Sequence, residues 1–223
     1  MAERALKVYW AGDLFDAKDL GGNLLLAQAV EEVSGGRYQV CLPQQAECGA
    51  GQRLSRTIRD ADFELLFNCD MILANFDGPD PDSGTVVEFC FAKMVDMPAV
   101  LLRTDFRKGG DHILPDDAPW NLMCSHYPRT ALLLINAMER YLTFCGSPLR
   151  DAAAQLSACY RSIAADVVKQ LDAAAGMTPW LNPEQVLDQY RRTVKSIGGD
   201  LETRLDEPVL QALAASKIAA GIY

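Results

Sequence analysis

No Cys-x-x-Cys pair occurs in this sequence, and histidine is limited to His112 and His126. The seven cysteines, Cys41, Cys48, Cys69, Cys90, Cys124, Cys145 and Cys159, are odd in number and scattered. That pattern supplies neither the ligand spacing of a zinc site nor a disulfide framework, so no metal is expected. Unpaired thiols on an acidic chain point to a reducing cytoplasm. A run of about 18 apolar residues is also missing, which argues against a membrane span. Met1 to Val8 carries Glu3, Arg4 and Lys7 in place of the apolar core of a secretory signal. There is no Lys/Arg run: 21 basic residues face 30 acidic ones, a net charge of -9. A surface of that sign repels nucleic-acid polymers and anionic membranes, but not an uncharged nucleoside. No Gly-x-Gly-x-x-Gly turn follows the first apolar run, which counts against a dinucleotide and leaves flavin mononucleotide open.

What is present is an ordinary globular mixture, 49% hydrophobic and 23% charged over 223 residues. That suits one large domain or one domain with an appendage. The first half alternates strand and helix. Leu6 to Ala11 reads as a strand, Asn23 to Val33 as a helix, and Tyr38 to Leu42 as a short strand closed by Pro43. A polar loop extends to about Gln52, and Leu54 to Asn68 is a second helix with Ile58, Ala61, Leu65 and Leu66 on one stripe. Met71 to Asn75 is a continuous apolar run of the kind buried in parallel sheets. A turn-rich loop spans Asp77 to Gly84, followed by a helix from Thr85 to Val95 and a strand from Ala99 to Leu102. This order predicts an α/β fold, an open parallel sheet of about five strands, flavodoxin-like or Rossmann-like, with helices on both faces. Ala131 to Ile135 fits either a fifth strand or the start of a helix. Beyond it, helices are expected near 149–175, 183–197 and 206–219, separated by Gly146-Ser147-Pro148, Gly176 to Pro179 and Gly198-Gly199-Asp200. The expected division is an α/β domain over 1–128 and a helical extension over 129–223, serving as an oligomerisation layer or a lid.

In such sheets ligands bind beyond the carboxyl ends of the strands. The loop after the third strand is the most reactive of these by composition, with Asp77, Asp80, Asp82 and Glu88 close together. A carboxylate placed there can attack an anomeric carbon and form a glycosyl-enzyme. Near a helix N-terminus it is favoured in its ionised form. Thr85-Val86-Val87-Glu88 equally fits a capping box, in which Glu88 only satisfies backbone N–H groups. Asp62 alone reads as a solvated helix position, and Tyr9 alone as core.

Taken together, the motifs resemble the nucleoside 2-deoxyribosyltransferases. The matching pieces are Val8-Tyr9-Trp10-Ala11-Gly12 with Leu14-Phe15, and Asp62 eight positions before Asp70. They continue with Asp82-Ser83-Gly84-Thr85-Val86-Val87-Glu88-Phe89-Cys90-Phe91-Ala92 and Met97-Pro98-Ala99-Val100. Asn121-Leu122-Met123 and Tyr223 complete the set. The resemblance implies a flavodoxin-like core and assigns roles. Glu88 is similar to the nucleophile at C1′, Tyr9 to the tyrosine that orients it, and Asp62 to the acid facing the leaving base. Asp82 and Asn121 are similar to residues that hold the deoxyribose hydroxyls. Gly12, Phe15, Met123 and Tyr223 fall at substrate-binding positions. Asn121, Met123 and Tyr223 would complete a neighbouring subunit's site, which implies a homo-oligomer with shared sites.

The implied reaction exchanges free nucleobases on 2′-deoxynucleosides through a covalent 2-deoxyribosyl-Glu88 intermediate, with slow hydrolysis when water attacks. It requires no cofactor and no metal. The sequence departs from the family pattern at Asp13, between Gly12 and Leu14, and over the long stretch from Arg129 to Ala220. Two alternatives stand beside this reading. One is an N-glycoside hydrolase of the same superfamily acting on nucleoside 5′-monophosphates. The other is a non-catalytic nucleoside- or nucleotide-binding module.

Overall fold

A computed structural model describes residues 4–46, 55–107, 118–145 and 151–223. Cys48, His112, the expected loop up to Gln52, the helix start at Leu54 and the Gly146-Ser147-Pro148 break lie outside the described residues.

Five parallel strands form one sheet: β1 (Leu6–Ala11), β2 (Tyr38–Cys41), β3 (Met71–Asn75), β4 (Ala99–Arg103) and β5 (Thr130–Leu134), in the order β2-β1-β3-β4-β5. The central strands are continuous apolar runs because both of their faces are covered. The ambiguous run after Arg129 is the fifth strand, in register with β4 from Ala99↔Thr130 to Arg103↔Leu134. As an edge strand it alternates, with Ala131 and Leu133 buried and Leu132 and Leu134 exposed. This is the α/β, flavodoxin-like order, and its topological switch point lies between β1 and β3.

One face of the sheet is covered by α1 (Ala17–Val33) and α6 (Ala152–Ala175), which pack on Trp10, Leu73, Leu102 and Leu133. The other is covered by α3 (Ser55–Asn68) and α4 (Ser83–Met94), which pack on Tyr9, Ile72, Ala74 and Leu101. Each fully buried side chain such as Leu66, Phe67 or Phe89 stabilises the fold by about 1.5–3 kcal/mol.

Several helix starts differ from expectation. α1 begins ahead of Asn23, because the Asp16 side chain caps it by accepting from the N–H groups of Lys18 and Asp19. Its first turn carries no apolar spacing, so periodicity does not reveal it. Gly22 lies within the helix where a Cβ would meet the Tyr160 hydroxyl of α6 at 3.2 Å, so its small size permits the close helix contact. α4 begins at Ser83, ahead of Thr85, because Asp82 is its cap. Three helices were not anticipated: α2 (Pro43–Ala46), α5 (Ala137–Cys145) and α8 (Leu201–Arg204), all too short for a periodic signal. α7 (Pro183–Ile197) and α9 (Glu207–Ala219) each open with proline beside Asn182 and Asp206 caps.

The helices beyond β5 distribute over both faces. α6 lies beside α1, while Val186, Tyr190, Leu201 and Leu213 of α7, α8 and α9 extend the core around α3 and α4. The boundary expected between 128 and 129 therefore falls between β4 and its sheet neighbour β5. Buried polar links hold the last helices in place. Asp96 Oδ2 accepts from the N–H groups of Trp180 and Leu181 at 2.8 and 3.1 Å and lies 3.2 Å from Arg129 Nη1. Arg129 Nη2 in turn donates to the Ile222 carbonyl at 2.8 Å, and buried Lys217 donates to the Cys69 carbonyl. Among the described residues, no helix is long and apolar enough to cross a membrane.

Candidate active site

The switch point brings the end of β1 beside the loop that leaves β3. Tyr9 is the fourth residue of β1, so its side chain points to the α3/α4 face, where it is wholly buried. α4 turns back over that face, and the Tyr9 hydroxyl donates to Glu88 Oε1 at 2.6 Å.

Glu88 stands in the second turn of α4. Asp82 holds the cap, with its Oδ2 accepting from Thr85 N at 2.8 Å and from Thr85 Oγ1 at 3.2 Å. The capping-box reading of Glu88 is thus corrected. Because the helix starts earlier than expected, Glu88 is carried past the orphan N–H groups and meets Tyr9 instead. The expectation of an ionised carboxylate is corrected with it. Burial pushes the Glu88 carboxyl up to about 8, the Tyr9 hydroxyl opposes that rise, and the nearby Asp62 and Asp82 charges add to it. Desolvation outweighs the helix terminus here. The Tyr9 hydroxyl is itself raised well above its ordinary range, first by burial and then by Glu88.

Asp62 lies on α3, within electrostatic reach of both Glu88 and Tyr9. Asp62 and Glu88 line one cavity of about 440 Å³ between α3 and α4. That volume falls within the range of about 300–1,000 Å³ common for small-molecule sites. Ile58, Arg59 and Phe63 of α3 and Ser83 and Val87 of α4 complete much of its wall. Sequence reasoning missed these residues. The available signal was helical spacing, since positions three or four residues from Asp62 on α3 share its face.

The remaining expected residues take different places. Gly12 ends the β1 turn, where a Cβ would lie 3.0 Å from Trp10 Nε1 and 3.2 Å from Asn75 Cβ. A larger residue there would press on both side chains. Phe15 is 77% exposed. Asn121 caps a short turn at Leu122–Cys124, its side-chain oxygen accepting from Met123 N at 2.9 Å. The neighbouring Leu122 and Met123 project into solvent, 58% and 72% exposed. Asp13 follows β1, and burial and the Asp82, Asp19, Asp77 and Asp16 charges raise its carboxyl above the usual range.

Tyr223 lies apart from these residues within the chain. Its hydroxyl donates to the Val95 carbonyl, just past the C-terminal end of α4, and lies 3.3 Å from the Tyr190 hydroxyl. Its ring sits 5.8 Å from the Arg129 guanidinium. The helices beyond β5 return the chain to the end of α4 farthest from the cavity, so within this chain Tyr223 is held away from it. Among the described residues, no group of three or more His, Cys, Asp or Glu is arranged to hold a metal ion.

The family model described as nucleoside 2-deoxyribosyltransferase matches residues 8–123, just over half of the chain. No curated protein matches. Among solved structures, a conserved protein from Enterococcus faecalis V583 is 20% identical, covering 76% of this chain and 98% of its own, with a TM-score of 0.48. A 2-deoxyribosyltransferase from Bacillus psychrosaccharolyticus is 20% identical over 45% of this chain and 74% of its own, with a TM-score of 0.40. One from Leishmania mexicana is 19% identical over 54% and 86%, with a TM-score of 0.45. The switch-point motifs that carry Tyr9, Asp62 and Glu88 lie inside the matched span, and the chain belongs to the nucleoside 2-deoxyribosyltransferase family.

Proposed function

We propose that the chain moves a 2-deoxyribosyl group from one nucleobase to another through an ester on Glu88. The observation that carries this reading is the Tyr9–Glu88 hydrogen bond at the wall of a cavity that Asp62 shares. Glu88 attacks C1′ while the bond from C1′ to the base nitrogen breaks. The electron pair of that bond goes to the base, which takes a proton from Asp62. In the second step an incoming base attacks C1′ through its ring nitrogen, Asp62 takes up the proton that base loses, and the ester opens. Two displacements at one carbon give net retention.

The chemistry needs the proton on Asp62 and not on Glu88. In the empty site burial holds a proton on Glu88 up to about pH 8. The scheme therefore passes the Glu88 proton to Asp62 before C1′ is attacked, and the positive charge then developing at C1′ favours the ionised Glu88 carboxylate. The Tyr9 hydroxyl donates to one carboxylate oxygen and leaves the other to attack. General acid help at the leaving base contributes about 10²–10⁴-fold, and holding sugar and carboxylate together supplies much of the rest.

Asp82, next to Ser83 of the cavity wall, and Asp13, which lies within its electrostatic reach, support a nucleoside with a free 5′-hydroxyl over a 5′-monophosphate, because carboxylates repel phosphate. The exposed apolar pair Leu122 and Met123 beside Asn121 supports a neighbouring subunit covering that loop, and with it a homo-oligomer. The scheme uses no cofactor. Incubating the protein with deoxyinosine and free adenine tests it. Deoxyadenosine is the expected product; release of deoxyribose with no exchange would move the chain to the hydrolases, and no consumption of deoxyinosine would favour a binding module.

A further inference from the structure

The side of the cavity facing the base contains a cation that the catalytic scheme does not use. Arg59 lies one turn before Asp62 on the same face of α3 and lines the same cavity. Its guanidinium is held on one edge only. Nε donates to Asp60 Oδ1 at 2.9 Å, and Nη2 donates to Asp60 Oδ1 and to the Gly198 carbonyl, the latter at 3.3 Å. Asp60 is fully buried, and its other oxygen accepts from Asp200 N at 2.7 Å. Between these two anchors Gly199 has φ +72, and a Cβ there would collide with Arg59 Nη2 and with both Asp60 carboxylate oxygens. The loop joining α7 to α8 thus closes directly over the Arg59–Asp60 pair and fixes its geometry.

We propose that Arg59 reads the exocyclic oxygen of the nucleobase, so that the site favours 6-oxopurines over 6-aminopurines. This rests on the deoxyribosyl-transfer reading above. A guanidinium has donors only, and with Nε and Nη2 engaged by Asp60 and Gly198, Nη1 is the donor left to meet the O6 acceptor of a 6-oxopurine while Asp62 meets the adjacent ring nitrogen. An adenine ring presents an amino donor where O6 would be, so one hydrogen bond is lost and two donors face each other. With Arg59 one turn from Asp62, a base whose ring nitrogen meets Asp62 brings its exocyclic group towards Arg59. Donation to O6 also stabilises the negative charge that the base carries as it leaves. Among the described residues that line the cavity, Arg59 is the one cation, in a wall it shares with the Asp62 and Glu88 carboxyls.

The test compares kcat/KM for base release from deoxyinosine and from deoxyadenosine, using the full chain, wild type and variants. Wild type is expected to favour deoxyinosine by roughly ten-fold, the scale of one hydrogen bond from a charged donor. Arg59→Met is expected to bring the ratio close to one, with most of the loss on deoxyinosine and in KM. Arg59→Lys keeps a cation beside buried Asp60 and is expected to give an intermediate ratio. Because both substrates meet the same folded protein, the ratio does not depend on how much of a variant folds, and a merely structural Arg59 would not move it. Wild-type preference for deoxyadenosine, or a ratio unchanged in both variants, would overturn the proposal while leaving transfer intact. Failure to release base from either nucleoside would remove the transfer reading itself, and this proposal with it.

Discussion

The two ends of α4 bury carboxyl groups in opposite electrostatic settings. At the C-terminal end, Asp96 meets the Arg129 guanidinium and two backbone N–H groups, and Arg129 reaches on to the Ile222 carbonyl. Asp70, nearby on the same side of the sheet, is similar: burial works against its charge, but Arg4, Lys217 and the Lys7 N–H hold it below the usual carboxylate range. Towards the N-terminal end, Glu88 has one neutral donor, Tyr9, and two carboxylate neighbours, and its carboxyl is pushed up to about 8. The fold pairs its buried charges where the last helices must be held. It leaves one mismatched where the cavity opens, and a displaced carboxyl pKa beside a cavity is how a reacting group is distinguished from a structural one.

The sharpest way to break that contrast is Glu88→Gln. Transfer should fall by at least about 10³-fold, as expected for loss of a nucleophile. Stability should move the other way. The folded chain keeps the Glu88 proton up to about pH 8, whereas an unfolded glutamate releases it near 4.5. The stabilising contribution of that proton is complete below pH 4.5 and is lost as pH rises through 8. Glutamine does not ionise, so thermal melts of the variant should lose less stability between pH 5 and 9 than wild type. A steeper loss would place Glu88 among the paired carboxylates.

At the other end of α4, Arg129→Met leaves Asp96 buried without its cation. Denaturant unfolding should show a loss of about 3–5 kcal/mol, with kcat of the folded fraction unchanged. Tyr223→Phe should cost only about 1 kcal/mol, the scale of one hydrogen bond, again without a change in kcat. A large fall in kcat for Tyr223→Phe would show that this end of the molecule reaches a site after all.

A comparably modest effect is expected at Tyr9. Tyr9→Phe removes the donor that lowers the Glu88 carboxyl, so the rising limb of the pH–rate profile should shift to higher pH. At pH 7 the rate should fall by about ten-fold, the scale of one lost charge-assisted hydrogen bond. An unshifted limb would mean that Glu88 does not set it.

Much of the architecture is legible in the chain because buried parallel strands must be apolar throughout. Met71 to Asn75 and Ala99 to Leu102 announce themselves in this way. Thr130–Leu134 does not, since five residues alternating at a sheet edge read equally well as a helix start. The cap at Asp82 and the helix start at Ser83 were hidden by a second plausible box at Thr85. At the site, Tyr9, Asp62 and Glu88 are far apart in sequence, and only the combined motif suggested that they belong together. Arg59 carried no motif. Its place depends on a buried aspartate next to it and on a glycine loop 139 residues further along the chain. The position of Tyr223 is not legible in the sequence, because no local pattern tells which end of α4 the last helices return to.

The most direct test of the account is to mix the protein with deoxyinosine, quench it during turnover and map its peptides by mass spectrometry. A 2-deoxyribosyl adduct on the peptide containing Glu88, absent from Glu88→Gln, is the predicted result. An adduct on a different carboxylate, or sustained exchange in the Glu88→Gln variant, would contradict it.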